Sequence, residues 1–149
     1  MSNKKIFVFG GTGAIGKSLS KKLKSNNYDP IIISRNETEL KQLSEEIGCE
    51  YKVCDVSDFD KVRSISEEYK DRLCGIAFCV GSINLKPLKM TKDEDFIDSF
   101  KINTLSAINA IKFNQETLAK NTGSILLYST IAVKPVSYTH LTLPTIFRV

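Results

Sequence analysis

The chain has 149 residues, 42% of them hydrophobic and 26% charged, with a formal net charge of +4. That length holds one domain with a real core and is short for two, and the composition excludes both a disordered chain and a membrane-spanning one. The opening residues MSNKKIFVFGG carry too short an apolar run for a signal peptide, and the four cysteines (Cys49, Cys54, Cys74, Cys79) have neither C-x-x-C spacing nor nearby histidines, so they are expected to be free thiols of a cytoplasmic protein with no metal.

In chain order, KKIFVFG reads as a short apolar strand running into glycines. AIGKSLSKKLKSN follows as a helix, with Ile15, Leu19 and Leu23 at a spacing of four. DPIIIS is a second strand, its unbroken isoleucines predicting burial on both faces. Asn36 then offers an N-cap with Glu39 in capping-box position, Leu40, Leu43 and Ile47 form the next helical stripe, and Gly48 ends it. EYKVCD is strand three, and Ser57 is expected to cap a helix with the stripe Val62, Ile65 and Tyr69. CGIAFCVG is strand four. Thr91 and Glu94 predict a second capping box, followed by one long helix to about Lys120 whose apolar and small positions include Phe96, Phe100, Leu105, Ile108 and Ile111. GSILLYS is strand five. Strands alternating with helices predict an α/β fold, a doubly wound parallel sheet covered on both faces.

The segment FGGTGAIG joins strand one to helix one, so Gly11, Gly13 and Gly16 satisfy G-x-G-x-x-G in the right setting. Glycines there let backbone N–H groups and a helix N-terminus approach a pyrophosphate. At the end of strand two, where an acidic residue would hold a ribose 2′-hydroxyl, the chain has Ser34, Arg35 and Asn36. An arginine can pair with a 2′-phosphate instead, so NADP is favoured over NAD, and Lys17 beside the last glycine is expected to add positive charge. The basic run of residues 17–27 could also be a nucleic-acid patch, but a solvated helix face is the expected reading.

Taken in order, these motifs resemble the short-chain dehydrogenase/reductase family over residues 4–134. GGTGAIG resembles its cofactor loop, CDVSD (residues 54–58) its acidic motif, CVGS (79–82) stands in place of Asn-Asn-Ala-Gly, INTLSA holds the long-helix asparagine, and GSILLYST delivers the serine. The resemblance implies a Rossmann-type sheet, truncated after about the fifth strand. It implies a cofactor site of Gly10, Gly11, Thr12, Gly13, Ala14, Ile15, Gly16, Ser34, Arg35, Asn36, Asp55, Val56, Cys79, Val80 and Gly81, with Asp55 at the adenine. It implies catalytic roles for Asn103, which holds a proton-relay water, and for Thr130 or Ser129, which polarises a carbonyl. The partner would be a small carbonyl or alcohol substrate, as in 3-oxoacyl-thioester reductases, with no nucleic acid or membrane, and the parent protein a homo-oligomer. A non-catalytic dinucleotide sensor is the alternative.

The family's Tyr-x-x-x-Lys pair has no counterpart, because Tyr138 is followed four residues later by Thr142. The glycine spacing also departs from the family's main branch. Residues 136–145, VSYTHLTLPT, resemble one reading frame of a transposon-type sequencing adapter. Residues 1–135 are therefore expected to be an incomplete NAD(P)-binding domain, catalytically silent alone, and 136–149 a non-native tail.

Overall fold

A computed structural model describes residues 4–129. Strand β1 (Lys5–Phe9) is followed by helix α1 (Ala14–Ser25), β2 (Asp29–Ser34), α2 (Glu37–Ile47), β3 (Glu50–Val53), α3 (Phe59–Glu68) and β4 (Leu73–Phe78). A short 3₁₀ turn (Leu88–Met90) leads to α4 (Asp93–Phe100), which runs through a π-helical turn (Lys101–Leu105) into α5 (Ser106–Lys120), and β5 (Ser124–Leu127) closes the order. The five strands form one sheet in the order β3-β2-β1-β4-β5, every pairing parallel. Among the described residues no helix is long and apolar enough to cross a membrane.

The isoleucine run does what its continuity predicts. Ile31, Ile32 and Ile33 are fully buried, Ile32 toward Leu40 and Leu43 of α2 and the other two toward α3 and α5. Burying each contributes roughly 2 kcal/mol. On the α3/α5 face, Phe7, Phe9, Phe78 and Tyr69 pack as a ladder of rings 5.4 to 5.9 Å apart, within the range where edge-on aromatic pairs attract.

Local reading fails at three places, each for a physical reason. Ser57 is not the cap of α3: its N–H and hydroxyl both bond to Asp55 Oδ1, at 2.8 and 2.7 Å, and Asp58 takes over by accepting from the Lys61 N–H. Thr91 does not cap α4 either. Its hydroxyl turns back to the Pro87 carbonyl, and Asp95 accepts from the Lys92 N–H one position later. Third, the helical stripe misplaces side chains. Ile15, Phe96, Phe100 and Ile108 are exposed, while Gly16, Ser20, Ala107 and Ala110 face inward. Helix α4 buries none of its residues, so its apolar positions meet no inner face. Small residues at the contact also let a helix lie closer to the sheet than a leucine stripe would.

One apolar surface is uncovered. A groove of about 490 Å³ runs beside α1 over β4 and β5, lined by Ile6, Leu19, Leu23, Ala77 and Leu126 among others. All four residues of β5 are exposed.

Candidate dinucleotide site

The strand order reverses at β1: β2 and β3 are added to one side of it, β4 and β5 to the other. In such sheets the carboxyl ends of the strands open a crevice at that switch point. Here the crevice is a cavity of about 300 Å³. It is smaller than the groove beside α1, but it is where polar and charged groups converge, as a ligand site requires.

Its floor is the loop after β1. Gly10 adopts φ +76°, and a Cβ there would lie 2.8 Å from the Cys79 carbonyl oxygen. A Cβ on Gly16 would lie 2.2 Å from the Gly10 oxygen. Gly10 and Gly11 both donate their N–H to the Ile33 carbonyl, at 2.8 and 3.2 Å, which locks the loop to the end of β2. Gly13 stands at the N-cap of α1 without a side chain to satisfy the first turn, and that turn holds no acidic residue. The free N–H groups and the dipole at this end suit an anion.

The walls come from the next three strands. Ser34 ends β2 and Arg35 follows it, and the Ser34 hydroxyl meets the Thr12 hydroxyl at 2.9 Å. Asp55 and Val56 follow β3, and Cys79, Val80 and Gly81 follow β4. Arg35 Nη1 lies 3.9 Å from Asp55 Oδ2, both partners substantially exposed. The two hydrogen bonds from Ser57, together with the Arg35 charge, hold the Asp55 carboxyl below its ordinary range, so it is an anion at neutral pH.

Several expected residues sit at the cavity without lining it. Asn36 spends its side chain on α2, accepting from the Glu39 N–H and donating to the Glu39 carboxylate. Gly11, Ala14, Ile15 and Gly16 shape the loop and first turn behind it. Lys17 is turned away and pairs with Glu46 at 3.0 Å, so its charge is not added to the cavity. Lys21 also pairs with Glu46, and Lys24 with Asp29, which neutralises much of the basic run that a nucleic acid would need.

Asn103 is on the π turn, and its amide is fully engaged. Oδ1 accepts from the Ser82 N–H at 2.7 Å, and Nδ2 donates to the Ser82 carbonyl at 2.8 Å and to Ser99 Oγ at 3.2 Å. The side chain thus pins the segment after β4 to the helix. Around it side chains add bonds to the turn's carbonyls, the Ser106 hydroxyl to Lys101 and the Asn109 amide to Leu105. Ser129 lies exposed just beyond β5; Thr130 and residues 136–149 are outside the described residues. The sequence reading missed Ile33, Cys54, Ser82 and Ile102 as cavity walls. Strand ends could have signalled the first three; Ile102 depends on the helical phase set by the π turn. Burial pushes the Cys54 thiol up to about 11 and raises that of Cys79, so neither is a thiolate nucleophile at neutral pH.

A model of the short chain dehydrogenase family matches residues 4–140. Carbonyl reductase family member 4 of Xenopus laevis is 29% identical over 124 residues, covering 80% of this chain and 52% of that protein. The 3-oxoacyl-[acyl-carrier-protein] reductase of Mus musculus matches with the same identity and coverage. The chain therefore spans about half the length of the curated relatives it matches. Among solved structures, a short chain dehydrogenase/reductase of Saccharomyces cerevisiae superposes with a TM-score of 0.81 at 20% identity, covering 97% of this chain and 66% of the other. A short-chain type dehydrogenase/reductase of Mycobacterium ulcerans gives 0.80 at 20%, covering 97% and 62%. At that identity the two structures speak for the fold.

Proposed function

Because the chain belongs to the short chain dehydrogenase family, we propose that it is the dinucleotide-holding part of an oxidoreductase that moves a hydride between NADP(H) and a carbonyl or alcohol substrate. The observation that carries this reading is the loop of residues 10–16, where added Cβ atoms on Gly10 and Gly16 would strike backbone, joined to an uncapped helix N-terminus. Such a floor suits a pyrophosphate. A bound nicotinamide ring would supply the hydride chemistry. The chain's own residues bind and orient: residues 10–16 hold the pyrophosphate, Arg35 pairs with the 2′-phosphate, Asp55 accepts from the adenine amino group, and Val80 and Gly81 form the wall after β4.

Substrate class follows the names of the relatives, a carbonyl reductase and a 3-oxoacyl-thioester reductase, and either would need a hydroxyl donor at Ser129 or Thr130. Asn103 acts here as a positioning residue through its side chain, since Ser82 and Ser99 occupy both ends of its amide. Residues 136–149 are read as an adapter-derived tail; sequencing the source locus would refute that by finding the same codons in genomic DNA.

The selector is tested by Arg35→Asp. It should weaken NADPH binding at least tenfold, the cost of losing one charge-assisted pair and adding a repulsion, and change NADH binding by about twofold at most. Equal losses for both would remove Arg35 from the role. Turnover tests the division of labour. The chain should bind NADPH yet oxidise none with any carbonyl, because the sequence offers no Tyr-x-x-x-Lys pair to act as general acid. Measurable NADPH oxidation would overturn that. A dinucleotide sensor uses the same cavity, and a full-length protein that binds NADPH without turnover would favour it.

A further inference from the structure

Ser57 stands where a helix cap is expected, yet Asp58 caps α3 by accepting from the Lys61 N–H at 3.1 Å. Both donors of Ser57 go to one oxygen of Asp55 instead, its N–H to Oδ1 at 2.8 Å and its hydroxyl to the same atom at 2.7 Å. The turn beneath is held fast. The Asp58 N–H bonds to the Asp55 carbonyl at 3.0 Å, and Cys54 and Val56, on either side of Asp55, are buried in the core. The carboxylate lines the cavity, with its side chain 45% exposed. Among the described residues Oδ2 accepts no hydrogen bond, and Arg35 Nη1 stands 3.9 Å from it.

We propose that Ser57 is a positioning residue for base selection: by occupying Asp55 Oδ1 it fixes the carboxylate and leaves Oδ2 as the acceptor for the exocyclic amino group of adenine. This rests on the reading of the cavity as a dinucleotide site with Asp55 at the adenine. An ionised carboxylate accepts hydrogen bonds and cannot donate them. Adenine carries a donating amino group where hypoxanthine and guanine carry an accepting oxygen. Facing that oxygen, Asp55 would set two acceptors against each other and stay unpaired, which is costly. A carboxylate free to rotate would turn away from the mismatched base and lose the discrimination; two bonds to one oxygen resist that rotation. The same two bonds are the leading cause of the lowered Asp55 pKa, so the acceptor-only form persists at neutral pH.

Titration calorimetry of the full chain with NADPH and with its deamino analogue, in which hypoxanthine replaces adenine, tests it. The unmodified chain should prefer NADPH about tenfold, the effect of one charge-assisted hydrogen bond. Ser57→Ala removes the 2.7 Å bond and leaves the Asp58 cap of α3 in place. It should weaken NADPH about fivefold and the deamino analogue by about twofold at most, with Ser57→Thr restoring the preference. An equal loss for both ligands, an unchanged preference, or a lost preference that Ser57→Thr does not restore overturns the role of Ser57. If the unmodified chain binds both ligands equally, Asp55 does not read the base, and the role falls while the dinucleotide site stands. If it binds neither, the dinucleotide reading itself fails, and the role of Ser57 with it.

Discussion

Replacing Gly16 by alanine should both destabilise the chain and weaken nucleotide binding more than tenfold. In an open helix the change would stabilise by about 1 kcal/mol, because alanine is the better helix former. Here the new Cβ would sit 2.2 Å from the Gly10 oxygen and 2.8 Å from the Gly11 Cα. Those atoms are backbone, held in turn by the bonds of Gly10 and Gly11 to the Ile33 carbonyl, so the clash cannot relax by a side-chain rotation. The loop must move, at a cost of about 3 kcal/mol by the measure of overpacked sites. Moving it shifts the N–H groups that face the cavity, so binding of 2′,5′-ADP should fall more than tenfold. Gly48→Ala is the control. That glycine caps α2 in the left-handed region at φ +71° with nothing within 4 Å of the added atom. It should cost about 1 kcal/mol from the strained backbone alone and leave nucleotide affinity unchanged. Comparable affinity losses in the two variants would show that Gly16 acts through global stability, and the pyrophosphate assignment would lose its main support.

The contrast between these two glycines also shows what a sequence exposes. Gly48 and the Asn36 cap are local devices, readable from three or four neighbouring residues. The glycine loop is readable because its spacing falls between a strand and a helix, the setting that gives it meaning. Arg35 at the end of β2 is readable by the same token. The caps of α3 and α4 went wrong by one residue because Ser57 and Thr91 had better partners in Asp55 and Pro87. The stripe of α4 went wrong because that helix buries none of its residues, and that of α5 because Ser106, Ala107, Ala110 and Asn114 take its inner face. Asn103 was found by its motif, but the role of its amide was not, since Ser82 is 21 residues away. Lys17 shows the reverse error: a charge next to the glycine loop in sequence is carried off by Glu46, which belongs to another helix. Pairings between distant segments are what composition and periodicity leave out.

The largest such pairing lies at the opposite end of the sheet from the cavity, and it makes the second prediction. Lys5 faces Asp29 across the β1–β2 register. Its side chain is only 4% exposed, its Nζ is 2.8 Å from Asp29 Oδ2, and it also bonds to the Glu50 carboxylate. Tyr69 donates its hydroxyl to the other Glu50 oxygen at 2.7 Å. The network ties β1, β2, β3 and the end of α3 together. Lys5→Met should therefore cost about 3 kcal/mol, the lower end for breaking a buried ion pair, because Asp29 and Glu50 would lose their shared cation. Burial pulls the Lys5 pKa down, but the hydrogen bonds to Asp29 and Glu50 outweigh it and leave it above the ordinary 10.5. For Asp29, burial pushes the pKa up and the bonds from Lys5 and Lys24 pull it net below 3.8; for Glu50 the Lys5 bond leads the shift below 4.5. The sign follows from linkage. The lowered carboxylates stabilise fully above their ordinary values, and that contribution is lost as pH falls below about 4 through their folded-state values. The raised lysine stabilises fully below 10.5, and its share is lost only as pH rises beyond that. Urea unfolding should thus show the unmodified chain losing stability steeply below about pH 4. Lys5→Met should start lower at neutral pH and decline less over the same range, having already lost the interaction that protonation removes. Parallel acid limbs in the two proteins would mean that Lys5 is tolerated in the core by some other means, and that the network does not hold the three strands together.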